Sequence, residues 1–224
     1  MSPARSVCFD LDGTLLRDDH VDGVVRAVSE RLADRFGVDA EALAAANETA
    51  WWEYWTEVGD AWMRGQIEPE SLPTEVWRRA LATVGVTDAA AAVEAHALHT
   101  STESTAFRLY DESAEVLRWL SERGVPTALI TNGPSGLQRA KLLATGIEDA
   151  FDVVIVSGEH GVHKPDPAIF ALALSGLGSA ASETLHVGDN LVADVGGARG
   201  AGLRPVWIDV APRRSSRPSA PRPS

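Results

Sequence analysis

Residues 7–14, Val7-Cys8-Phe9-Asp10-Leu11-Asp12-Gly13-Thr14, decide how the rest of the chain reads. Three apolar residues make a short buried strand, two carboxylates follow where it leaves the sheet, and Gly13 permits a sharp exit. Residues i and i+2 of an extended segment point to the same side, so Asp10 and Asp12 share one face of that exit. Two like charges this close cost free energy unless a cation neutralises them or one carboxylate holds a proton. Either answer is chemically useful.

Four further runs of the same kind follow, at Pro126 to Ile130, Val153 to Val156, Thr184 to Val187 and Pro205 to Ile208. Helical stretches such as Ser113 to Arg123 and Pro167 to Leu174 separate them. Strands alternating with helices specify an α/β fold, a Rossmann-like parallel sheet in three layers with helices on both faces. Ligands of such sheets lie beyond the carboxyl ends of the strands.

Residues 17–106 break the alternation and read as helix throughout. Val21, Val24, Val25, Val28, Leu32 and Phe36 keep helical spacing up to Gly37, a C-cap; Asp39 opens a second helix, and Thr74 to Val84 and Asp88 to Leu98 form two more. One helix suffices for a right-handed crossover, so four make a separate lobe. The expected organisation is a catalytic core from residues 1–16 and 107–210, a helical cap from 17–106 and a tail from 211–224. The tail holds four prolines, four serines, four arginines and no acid, a composition that favours disorder.

The 224 residues carry 20 basic and 32 acidic side chains, a net charge of −12 that repels nucleic acids and anionic membrane surfaces. No apolar run reaches the length of a membrane span, and Asp10 and Asp12 interrupt any signal-like start, so the cytoplasm is the expected compartment. The lone Cys8 cannot form an intrachain disulfide and reads as a buried strand thiol. A monomer or homodimer is expected.

The later strand exits are informative. Thr131-Asn132-Gly133 offers a hydroxyl, an amide and an unshielded backbone N–H before a helix that Pro134 opens, a good anion cradle. Lys164, in His163-Lys164-Pro165-Asp166, is one of only two lysines against eighteen arginines, so a compositional preference for arginine is overridden there. Gly188-Asp189-Asn190, with Asp194 five residues after Asp189, adds two acids to the same rim. Hard oxygen ligands of this kind suit Mg²⁺. Each piece alone fits an ordinary turn, cap or solvated charge; four strand exits sharing phosphate and metal chemistry do not.

These motifs together resemble the haloacid dehalogenase superfamily, in the branch whose helical cap is inserted after the first motif. Asp10-Leu11-Asp12-Gly13-Thr14 is similar to the first motif, Thr131-Asn132 to the second and Lys164-Pro165 to the third. Gly188-Asp189 through Asp194, running on to Gly202, is similar to the fourth. The likeness covers residues 5–16 and about 108–209; the cap matches only in position and helical character. It implies a Mg²⁺-dependent phosphatase acting on a small phosphorylated metabolite through an aspartyl-phosphate. By that likeness Asp10 is the nucleophile and Asp12 the general acid and base. Lys164, Thr131, Asn132 and Gly133 hold the phosphate, while Asp10, Asp189 and the backbone carbonyl of Asp12 hold the metal. Asp194 orients Lys164 or a metal-bound water. Asn190 departs mildly from the Ser or Thr usual after the metal-binding acid.

Asp12 favours a phosphatase over a dehalogenase, because expelled halide needs no protonation. A phosphomutase would need a basic cap, yet the insert carries seven arginines, no lysine and seventeen acids, a net of −10. A non-catalytic binding or regulatory protein on the same scaffold is disfavoured by the intact nucleophile, acid, lysine and metal acid. Arg17, in the first hinge, is the basic residue best placed to reach a substrate, with a surface salt bridge as its bland role. Trp51, Trp55, Val58 and Trp62 fall on one narrow helical face and read as core, whereas Trp52 points about a quarter turn away and is the better candidate to line a site.

Overall fold

The structure is a computed structural model that describes residues 4–209. The tail at 211–224 therefore lies outside the described residues. Five parallel strands, β1 (Ser6–Phe9), β2 (Thr127–Thr131), β3 (Val153–Val156), β4 (Thr184–Gly188) and β5 (Arg204–Trp207), form one sheet in the order β3-β2-β1-β4-β5. The chain first builds outward from β1 on one side and then returns to build on the other. The order reverses at β1, which puts the crevice for a ligand at the carboxyl end of that strand.

Alternation along the strands sorts side chains into two cores, as the pleat requires. Val7, Phe9 and Leu129 join Leu117, Leu120 and Leu142 on one face. Cys8, Ala128, Ile130 and Ile155 join Ile169, Phe170 and Ala173 on the other. Both faces are thus covered, which is why the strands read as near-continuous apolar runs rather than as alternating ones.

Between β1 and β2 the chain makes α1 (Val21–Phe36), α2 (Ala40–Met63), α3 (Ser71–Thr83), α4 (Ala89–Glu103) and α5 (Ser113–Ser121). Gly37 ends α1 in a left-handed conformation, and the Asp39 carboxylate caps α2 by accepting from the Ala42 N–H at 2.6 Å. Val28, Leu32, Leu43, Trp77, Leu81 and Ala95 pack the first four helices together. The C-terminal half of α2 adds a second cluster, in which Trp51 stacks on Trp55 at 5.8 Å between ring centroids and Trp62 meets both edge-on. α3 starts three residues before the expected Thr74, because a helix tolerates Pro73 in its first turn. α4 runs past Leu98 to Glu103, where the Thr102 hydroxyl donates to the Leu98 carbonyl.

The two segments joining this helical insert to the sheet run side by side, with the Arg17 N–H donating to the Arg108 carbonyl at 2.8 Å and Leu16 bridged to Leu109. Beyond β2 the remaining helices are α6 (Ser135–Thr145), α7 (Ser157–His160), α8 (Pro167–Leu177) and α9 (Gly197–Gly200), with a π-helical turn at Leu191–Gly196. Among the described residues no helix is long and apolar enough to cross a membrane.

Candidate active site

Four loops converge at the carboxyl end of the sheet, and each brings the residues expected of it. Asp10 leaves β1 and is 7% exposed. Its Oδ2 accepts from the Thr14 hydroxyl at 3.1 Å, and its Oδ1 lies 2.5 Å from Lys164 Nζ. Lys164 also donates to Asp194 Oδ1 at 2.7 Å, and both are almost fully buried. Asp194 takes two more donors, His186 Nε2 at 2.9 Å on Oδ1 and the Asn190 N–H at 3.0 Å on Oδ2, so most of its acceptor capacity is engaged from within the protein. A side chain at Gly188 would sit 2.3 Å from the Asp194 Cγ, which is why glycine ends β4.

Carboxylate oxygens of Asp10, Asp189 and Asp194 all come within 4.8 Å of one another. Burial, opposed by Lys164 and aided by Asp194, pushes the Asp10 carboxyl up. Burial alone would lower the Lys164 ammonium, but Asp10 and Asp194 outweigh it and raise it. Asp194 behaves in the opposite sense: burial would raise it, yet Lys164 and His186 hold it down. This cluster of hard carboxylate oxygens fits a divalent cation.

The other sequence-predicted residues support this cluster in several ways. Thr131 is buried at the end of β2. The Asn132 side chain clamps the next loop, donating to the Lys164 carbonyl and accepting from the Lys164 N–H, each at 2.9 Å. Gly133 corrects the expectation of an unshielded backbone N–H for an anion: that N–H donates to Ser157 Oγ at 2.8 Å, because Gly158 packs directly on the Gly133 carbonyl. Asn190 caps the turn that carries Asp194, its side-chain oxygen accepting from Val192 and Ala193 at 2.9 Å each. Arg17 is engaged by Asp19 and lies over the Tyr110 ring, so the salt bridge is its observed role. Trp52 stays outside the stacked tryptophans, with its indole N–H buried and without a hydrogen-bond partner.

Asp12 has partners that no strand-exit motif foretold. Lys141 and Gln138 on α6 both donate to its carboxylate, Lys141 at 2.9 Å and Gln138 at 3.0 Å. Burial would raise the Asp12 carboxyl, but the Lys141 ammonium and these hydrogen bonds prevail and hold it below the usual range. The signal that could have found Lys141 is the one applied to Lys164, since these are the two lysines of the chain.

A profile of the haloacid dehalogenase-like hydrolases matches residues 4–202. The phosphoserine phosphatase of Thermus thermophilus is 36% identical over 240 aligned positions, covering 98% of this chain and 93% of that protein. The phosphoglycolate phosphatase of Pectobacterium atrosepticum is 32% identical over 213 positions, covering 93% of this chain and 81% of that protein. Among solved structures, a dehalogenase superimposes with a TM-score of 0.66 at 27% identity, covering 97% of this chain and 88% of that one.

Proposed function

Because this chain belongs to the haloacid dehalogenase-like hydrolases and is a phosphoric monoester hydrolase, we propose that it cleaves a small phosphate monoester through an aspartyl-phosphate on Asp10. The observation that carries this reading is the buried Asp10–Lys164–Asp194 cluster at the carboxyl end of the central strand, with Asp189 beside it.

Asp10, Asp189 and the backbone carbonyl of Asp12 would hold Mg²⁺, with Asp194 engaged by three protein donors and serving to orient Lys164 or a metal-bound water. When bound, the cation offsets the repulsion between the Asp10 carboxylate and an incoming phosphate dianion and favours ionised Asp10. Asp10 attacks phosphorus, and the bond from phosphorus to the ester oxygen breaks. Thr14 and Lys164 fix the carboxylate, while the Lys164 ammonium and Thr131 hydroxyl stabilise the equatorial oxygens. Asp12 gives its proton to the departing oxygen and then takes one from the water that attacks the phosphorus of the aspartyl-phosphate, which frees Asp10 and phosphate. Lys141 keeps Asp12 ionised in the resting site, so the acid must take up a proton from solvent as the phosphate dianion arrives and repels that negative charge.

The insert 17–106 acts as the cap over this site. Its net charge of −10 disfavours large polyanions and the bisphosphate of a phosphomutase, so the substrate is a small monophosphate. Phosphoserine heads the candidates, since the similarity to a phosphoserine phosphatase extends through the insert, and phosphoglycolate follows. A panel of phosphate esters assayed with Mg²⁺ and with chelator tests the reading. Turnover by the unmutated protein that is lost on chelation, and lost by about 10³-fold or more in Asp10→Asn, is expected. Retained activity in Asp10→Asn rules out the aspartyl-phosphate.

A further inference from the structure

Gln138 and Lys141 stand three residues apart on α6 and therefore share one helical face. Both are buried, at 1% and 9% exposure. Lys141 Nζ donates to the two carboxylate oxygens of Asp12, at 2.9 and 3.0 Å. Gln138 Nε2 donates to Asp12 Oδ2 at 3.0 Å and lies 2.5 Å from Thr131 Oγ1. One amide thus ties the acid on the first loop to the hydroxyl on the second.

The exposures give the pair a direction. The Lys141 side chain is 11% exposed and that of Asp12 38%, so the ammonium sits behind the carboxylate and leaves the other side of Asp12 open. An ion pair buried for stability alone gains little, because desolvating the ammonium offsets the attraction. A carboxylate on a turn after a strand otherwise rotates freely about two side-chain bonds, and two donors from a rigid helix remove that freedom. Burial would raise the carboxyl of Glu103, at the end of α4, but His20, His99 and the Lys141 ammonium hold it down.

We propose that Gln138 and Lys141 are positioning residues of the reaction, which hold the Asp12 carboxyl where it meets the leaving-group oxygen and set it in register with Thr131. The inference rests on the phosphatase reading, in which Asp12 carries the proton. Neither residue forms a bond to substrate; each acts through Asp12.

The leaving group supplies a readout that a structural role does not move. Departure of 4-nitrophenolate needs no proton, whereas an alkoxide needs one. In the full-length protein with Mg²⁺, Lys141→Met is expected to lower kcat/KM for an alkyl phosphate by about 100-fold and for 4-nitrophenyl phosphate by about threefold or less. Lys141→Arg should recover part of the alkyl activity, and Gln138→Met should show the same skewed loss, which keeps the test open if one variant folds poorly by thermal melting. Asp12→Asn is the reference. If its losses skew toward the alkyl ester while those of Lys141→Met and Gln138→Met are equal across esters or absent, the positioning role is overturned and the phosphatase reading stands. If the unmutated protein hydrolyses no ester, or Asp12→Asn shows no skew, the reading of Asp12 falls and the inference falls with it.

Discussion

The Nε2 atom of His163 lies 2.7 Å from Oδ1 of Asp60, joining the loop that carries Lys164 to the last turn of α2 in the insert. The other ring nitrogen lies 2.7 Å from the Lys164 carbonyl oxygen. Arg64 spans the same junction, donating to Asp60 at 2.9 Å and to the Gly161 carbonyl at 3.2 Å, and Ser157 donates to the Met63 carbonyl at 2.6 Å. A side chain at Gly65 would fall 2.5 Å from the Gly158 carbonyl oxygen, so the two backbones meet directly. The insert is therefore docked by polar contacts onto the loop that orients the lysine. A double-mutant cycle of His163→Gln and Asp60→Asn, read on kcat/KM, should give a coupling of about 0.5–1 kcal/mol, modest because Asp60 is exposed. Strictly additive effects would mean that the contact transmits nothing to catalysis.

A pH effect on stability is expected from the insert alone. Hydrogen bonding from Arg78, reinforced by Arg79 and opposed by slight burial, lowers the Glu75 carboxyl to about 2. A carboxyl depressed in the folded state contributes stability that is fully present above its unfolded value and is lost as pH falls through the folded value. The window is thus from about 4.5 down to about 2. Glu75→Gln should cost no more than about 1 kcal/mol at pH 7, given the exposure of the pair, and its deficit should shrink as denaturant titrations move down through that window. A deficit unchanged down to pH 2 would point to packing instead of charge.

Cys8 gives a clean reporter of global opening. Burial pushes its thiol up to about 12, against a small opposing pull from Lys164, and its side chain is fully buried between β2 and β4. The reactive form is the thiolate, so a chromogenic disulfide at pH 8 should leave the native protein unmodified and titrate one thiol after unfolding. Fast modification of the native protein would show that the central strand opens locally.

The strands and the four exits were legible because burial on both faces leaves apolar runs, and because glycine, proline and acids punctuate where each run ends. Strand order was not, since adjacency in the sheet is set by crossovers and leaves no local trace. Gln138 and Lys141 escaped for a related reason: helical periodicity reports which face of α6 is apolar, whereas these two polar residues lie on the buried side and find their partners more than a hundred residues away in sequence. Gly133 misled because its N–H reads as free in sequence and only the approach of α7 reveals that Ser157 takes it. The limits of α3 and α4 were displaced because Pro73 is tolerated in a first turn and because the backbone ladder of α4 continues past its last apolar residue, Leu98, to Glu103.

Asp189 and Asp194 lie in one acidic cluster yet should answer differently to loss of charge. Asp194 is engaged by Lys164, His186 and the Asn190 backbone, and burial leaves it 2% exposed; its carboxylate faces inward to protein donors. Asp189 is only partly buried at the strand exit, and its backbone carbonyl accepts from the Trp207 indole N–H at 3.0 Å, which fixes the main chain there. Asp189→Asn should therefore raise the Mg²⁺ concentration for half-maximal activity by about tenfold or more, as loss of a charged ligand does. Asp194→Asn should act chiefly on kcat, by about 100-fold, through a Lys164 left with one carboxylate, while the Mg²⁺ requirement moves less. Activity measured against Mg²⁺ concentration separates the two, and a larger shift in requirement for Asp194→Asn than for Asp189→Asn would exchange their roles.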